Sequence, residues 1–183
     1  MKKLDIKGTR TEKNLMEAFA GESMARNKYT YYASQAKKDW YVLVQKIFEE
    51  TAGNEKEHAE LWFKALHGGA MPTTADNLLD AVNGEHYEFT DMYKRHENDA
   101  RSEGFIDLAE QFKGVGQIES THEARYRALL EDVKLKKFFK RNTEIIWQCQ
   151  NCGHLHKGKT APLVCPVCNH PQAYFQENPT KNY

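Results

Sequence analysis

No cysteine occurs in the first 148 positions of this 183-residue chain; all four lie between positions 149 and 168. The opening Met1-Lys2-Lys3-Leu4-Asp5-Ile6-Lys7 has a basic start but no apolar stretch behind it. Without such a secretion signal, clustered cysteines argue for metal ligation rather than disulfides. Excess charge of either sign is also missing. Lys plus Arg and Asp plus Glu stand at 26 each, so no global field draws nucleic acid or an anionic membrane. Nor does any run of about 18 apolar residues occur. The chain is expected to be soluble and cytoplasmic, with partners argued from sites.

What is present falls into two parts. From Thr11 to Val133 the sequence is charged, rich in helix formers and marked by apolar residues at helical spacing. The first helix is expected from Thr11 to Lys38, with Leu15, Phe19, Ala25, Tyr29 and Ala36 on one face. The second runs from Trp40 to His67, with Val44, Phe48, Thr51, Trp62 and Ala65 on its face. His67-Gly68-Gly69 ends it. A crossover from Thr74 to Gly84 carries Leu78, Leu79 and Val82 on a short helical stretch, and a third helix then runs to Arg101. Ser102-Glu103-Gly104 makes the next turn before a fourth helix bearing Phe105, Leu108, Phe112, Val115, Tyr126 and Leu129. Two short turns around one long connection is the ferritin-like form of the four-helix bundle. The basic tract from Lys134 to Arg141 reads as a solvated helix end, with partner docking the alternative. From Thr143 the sequence turns short, β-branched and Gly- and Pro-punctuated. The expected domains are therefore 1–142, a bundle, and 143–183, a small β/loop metal module.

Polar residues interrupt the apolar stripes. Glu22 falls between Phe19 and Ala25; Glu55 and His58 fall between Thr51 and Trp62; Glu85 follows Val82; Glu119 and His122 fall between Val115 and Tyr126. A buried carboxylate must neutralise, pair or bind a metal, so several converging on one core call for a shared cation. In an antiparallel helix pair, residues equidistant from the turn share a level. The midpoint of Glu22 and Glu55 falls on Lys38-Asp39, and that of Glu85 and Glu119 on Ser102. Both pairs thus stand roughly 25 Å from their turns. Each half repeats a lone Glu followed by Glu-x-x-His, whose i, i+3 members can grip one metal. This is the donor pattern of di-iron and di-manganese bundles, and spacing does not choose between the two metals. His67, His86, His96, His154, His156 and His170 read as surface or local structural residues.

Cys149-Gln150-Asn151-Cys152 and Cys165-Pro166-Val167-Cys168 form two Cys-x-x-Cys knuckles, the spacing of a tetrahedral thiolate site. Zinc there would be structural and iron would carry one electron. A redox-capable dimetal bundle upstream favours iron, because a one-electron carrier then has something to serve.

Phe19-Ala20-Gly21-Glu22-Ser23, Glu55-Lys56-Glu57-His58-Ala59, Gly84-Glu85-His86-Tyr87-Glu88 and the tail Cys165-Pro166-Val167-Cys168-Asn169-His170-Pro171 resemble the rubrerythrin family, bundle first and rubredoxin-like module last. The resemblance implies a di-iron centre held by Glu22, Glu55, His58, Glu85, Glu88, Glu119 and His122, and one iron held by Cys149, Cys152, Cys165 and Cys168. Glu88 enters only through the resemblance. So does a redox-dependent exchange in which one iron is held by Glu88 when oxidised and His58 when reduced. Tyr29 and Tyr93 match positions where a phenol hydrogen-bonds a ligand carboxylate; by spacing alone they are core aromatics.

The implied activity is reduction of hydrogen peroxide to water, with Glu22, Glu55, Glu88 and Glu119 at the reacting metals and electrons relayed through the four-cysteine iron. No nucleotide-binding glycine motif occurs, so an NAD(P)H-linked reductase would be a separate protein. A head-to-tail homodimer is expected. The alternatives are a ferroxidase or iron-handling protein, and a zinc-ribbon binding protein on a structural bundle.

Overall fold

The computed structural model describes residues 6–178, and the chain divides into two compact units, Met1–Thr73 and Thr74–Tyr183. The first unit is a hairpin of helices α1 (Arg10–Lys38) and α2 (Val42–Leu66). Thr9 opens α1, its hydroxyl accepting the Glu12 N–H at 3.1 Å while the Glu12 carboxylate reaches back to the Gly8 N–H at 2.6 Å. Donors without an intrahelical partner are satisfied this way at both ends of the turn. The hairpin's buried residues are the small Ala33, Ala36, Ala52 and Ala59, which allow close backbone approach. Ring contacts Phe19–Phe63 at 5.6 Å and Tyr29–Phe48 at 5.9 Å fill the space around them.

α1 ends in a left-handed turn in which Tyr41 N–H returns to Ala36 O at 2.9 Å and Trp40 N–H to Lys37 O at 3.2 Å, with Trp40 at φ 65°. The second unit repeats this turn with Phe105 N–H on Ala100 O at 2.8 Å and Gly104 at φ 86°. Both hairpins therefore fold back through one backbone device.

In the second unit α3 (Thr74–Tyr87), a π-turn (Glu88–Met92) and α4 (Tyr93–Ser102) form one continuous helix, and α5 (Ile106–Lys134) packs along it. The crossover expected over 74–84 is thus already the first half of the third helix. Nothing between Thr74 and Asn83 breaks a helix, and Val82 is buried on it. In the π-turn, Tyr93 N–H bonds the Glu88 carbonyl, absorbing one extra residue. On a regular helix Tyr93 would stand about 80° from Glu85; the extra residue returns it to within about 20°.

Of the basic tract only Lys134 is helical. A further left-handed turn, with Lys136 at φ 53° and Lys137 N–H on Asp132 O at 2.8 Å, stops α5. The module then begins with strand β1 (Lys140–Cys149), flanked by β2 (Leu155–Thr160) and β3 (Phe175–Glu177) in the antiparallel order β2-β1-β3. Its core is Ile145, Trp147, Cys149, Ala161, Cys165 and Phe175. The Trp147 indole donates to Gly158 O at 3.0 Å. No helix of the described residues is long and apolar enough to cross a membrane.

Candidate metal centres

In the first hairpin Glu22 from α1 meets Glu55 and His58 from α2, their ligand atoms all within 4.8 Å of one another. His58 Nδ1 lies 2.9 Å from Glu55 Oε2 and 3.8 Å from Glu22 Oε1. The mirrored spacing is realised because neither helix carries an irregularity between the turn and these residues. The same three-residue group recurs in the second unit as Glu85 from α3 with Glu119 and His122 from α5. There His122 Nδ1 lies 2.7 Å from Glu119 Oε2 and 3.6 Å from Glu85 Oε2.

Burial, and then the charge of Glu119 and a hydrogen bond to it, holds Glu85 above the usual carboxylate range; Glu88 adds to this and His122 opposes it. Tyr93 belongs to the same cluster. Burial, followed by the charges of Glu88, Glu119 and Glu85, pushes its phenol up. Its ring is seated against Phe112 at 6.2 Å and over Gly116, where a Cβ would come within 3.0 Å of the Tyr93 Cβ. Glu88 does not join the three-residue group, but its charge bears on both Glu85 and Tyr93. Tyr29 packs against Tyr32 and Phe48.

The two cysteine knuckles are built alike. Gly153 at φ 76° and Asn169 at φ 58° turn the chain after Cys152 and Cys168. Gly153 N–H returns to Cys149 O at 2.8 Å, and Asn169 N–H to Cys165 O at 3.0 Å. Cys149 Sγ and Cys168 Sγ stand 3.7 Å apart, Cys152 Sγ and Cys165 Sγ 3.6 Å. A tetrahedron with metal–sulfur bonds of about 2.3 Å has edges of about 3.8 Å, so the four sulfurs fit one ion. The backbone N–H of His170 brings Cys168 down to about 6. His154's N–H likewise favours the Cys152 thiolate, yet hydrogen bonding with Cys168, burial, and the Cys165 and Cys149 thiols push Cys152 up to about 12. Of these two thiols Cys168 is therefore the one that ionises first.

Two features escaped the sequence reading. Glu123, one turn beyond Glu119, is largely covered and holds both His86 at 3.2 Å and Arg127 at 2.5 Å, which gives His86 the local structural role expected of it. An Arg four residues after Glu123 was the available signal. The π-turn had none, since no residue type announces it.

Comparison with known proteins bears on both parts of the chain. The family model described as Rubrerythrin matches residues 13–130, and that described as Rubrerythrin, rubredoxin-like domain, matches 147–176. The chain belongs to the rubrerythrin family. It is 46% identical to Rubrerythrin of Porphyromonas gingivalis over 97% of this chain and 94% of that one. It is 45% identical to Rubrerythrin-1 of Clostridium acetobutylicum, covering 93% and 95%, and 43% identical to Rubrerythrin of Nitratidesulfovibrio vulgaris, also covering 93% and 95%. As a rubrerythrin it has a ferritin-like helical fold, a di-iron site for which each unit offers one Glu-Glu-His group, and a rubredoxin-like domain carrying the four cysteines. Family membership points to oxidoreductase chemistry.

Proposed function

We propose that this rubrerythrin is a peroxidase that reduces hydrogen peroxide to two waters, consuming two protons and two electrons. The observation that carries the reading is the pairing in one chain of two Glu-Glu-His groups with a four-thiolate site. Carboxylate and imidazole donors suit iron, and the half-sites, Glu22-Glu55-His58 and Glu85-Glu119-His122, supply six ligands with Glu88 a seventh. When bound, the di-iron centre provides two electrons and Lewis acidity toward the O–O bond. The chain's own residues supply the proton side. Glu85 is held toward its protonated form, and Tyr93 keeps its phenolic proton amid three carboxylates. Both are suited to hold protons beside the reacting oxygens.

Cys149, Cys152, Cys165 and Cys168 hold the iron that refills the centre one electron at a time, reduced in turn by a separate reductase or carrier. From Glu119 to the end of α5 is about 22 Å along the helix, a long route for direct transfer within one chain. We take the working form to be a cytoplasmic head-to-tail homodimer in which each cysteine module serves its partner. A ferroxidase would have no use for that module. The test is anaerobic single-turnover mixing of dithionite-reduced, iron-reconstituted protein with hydrogen peroxide and, separately, with dioxygen. Oxidation much faster with peroxide supports the reading; faster oxidation by dioxygen, or iron absent from the cysteine site after reconstitution, refutes it.

A further inference from the structure

Where α5 meets the cysteine module, the surface carries features that neither metal centre uses. Lys136, Lys137 and Lys140 are exposed there in short succession, in a chain whose formal charges balance to zero. Arg141, the next cation, is engaged by Asp132 at 2.8 Å and Glu177 at 3.4 Å. Beside the lysines lies a groove of about 770 Å³ walled by Val133, Phe138, Phe139 and Leu163, with Lys136 and Lys140 at its sides. Leu163 is 77% exposed although it lies two residues before the ligand Cys165. Phe139, like Cys168, packs against the module's core, which contains Cys149 and Cys165. Through Phe139 the groove is therefore continuous with the core that holds two of the four ligand cysteines.

We infer that this groove and its lysine rim are the docking surface for an acidic one-electron carrier protein that reduces the cysteine module. The inference rests on the electron-relay reading above. A redox partner needs brief, close apolar contact near the accepting centre, which the groove offers, and complementary charge to speed encounter. The lysines specify an acidic partner. The step transfers one electron, oxidising the carrier and reducing the module's iron, with no bond made or broken and no proton moved.

The test uses the full iron-loaded chain and a reduced acidic rubredoxin as probe, followed by stopped flow. Between about 10 mM and about 300 mM salt the second-order rate should fall about tenfold. At low salt Lys136→Glu/Lys140→Glu should be about tenfold slower than wild type, with the gap closing at high salt. The single change Lys137→Glu gives a smaller effect of the same sign and guards against misfolding of the double variant. Calorimetric titration of the zinc-loaded chain with the oxidised carrier should show the same loss of binding without any turnover. Rates and binding indifferent to salt and to charge reversal overturn the inference. So does dissociation of a wild-type dimer by the double variant, which would make a second copy the occupant. A module that dithionite cannot bleach would instead sink the electron-relay reading itself.

Discussion

Glu119 Oε2 lies 2.7 Å from His122 Nδ1, one turn along α5, and Glu55 and His58 repeat the contact at 2.9 Å on α2. Each pair points its acceptor and its imidazole at one spot, where a proton now mediates a contact that a metal ion would replace. The helix itself sets this geometry, since residues three apart share a face.

Glu55→Ala and Glu119→Ala should each abolish dinuclear metal binding and leave the cysteine module loaded. Metal analysis of iron-reconstituted protein should read about three ions per chain for wild type and about one for either variant. Full peroxide turnover in both variants would refute the ligand assignment.

Glu85 is held above the usual carboxylate range, so in the metal-free protein its proton is bound more tightly in the folded state than in the unfolded one. Its stabilising contribution is complete below the unfolded carboxylate value and is lost as pH rises through the raised one. Metal-free Glu85→Gln should therefore melt above wild type at pH 7, and the difference should shrink toward pH 4. An unchanged difference across that range would show that the gain is packing rather than charge.

In the cysteine module Cys168 sits near 6 and Cys152 near 12, so at neutral pH metal entry releases the Cys152 proton. Cobalt(II) affinity should rise by at least about tenfold per pH unit between about 6.5 and 8, for the Cys152 proton displaced, and more steeply below 6 as Cys168 protonates too. Titrations followed by the thiolate-to-cobalt absorption would show it. Affinity indifferent to pH over that range would mean that Cys152 is already ionised.

Trp40 occupies a left-handed position, φ 65°, with 87% of its surface exposed, where the second hairpin places Gly104. A side chain there costs about 1–2 kcal/mol, and glycine's extra freedom in the unfolded chain takes back about 0.4–1 kcal/mol. Trp40→Gly should thus stabilise the protein by about 0.5–1 kcal/mol, read as a higher urea midpoint. A drop in midpoint would reveal a contact made by the indole.

How much of this was written in the sequence differs from element to element. The two long hairpins were legible because apolar periodicity and turn residues are local signals. The pairing of Glu22 with Glu55 was legible because a helix advances by a fixed rise, so distance from a turn translates into level; that of Glu85 with Glu119 was legible too, because the one residue absorbed by the π-turn shifts the level by only about 1.5 Å. The cysteine knuckles were legible because two residues between ligands leave little freedom in how they meet. Other features were not. The segment 74–84 read as a crossover with a short helical stretch; that it runs on into the third helix was not visible, because a π-turn and not a break joins the two. The π-turn after Glu88 has no residue signature; it exists because eight residues must span what seven would on a regular helix if Tyr93 and Glu85 are to share a face. The opposite shifts of Cys152 and Cys168 needed four sulfurs in contact and two backbone N–H groups aimed at them. Composition and spacing determined which donors this protein owns and at what level they stand. Tertiary structure alone decided which of them hold protons, because burial and neighbouring charge belong to the folded arrangement and not to any residue by itself.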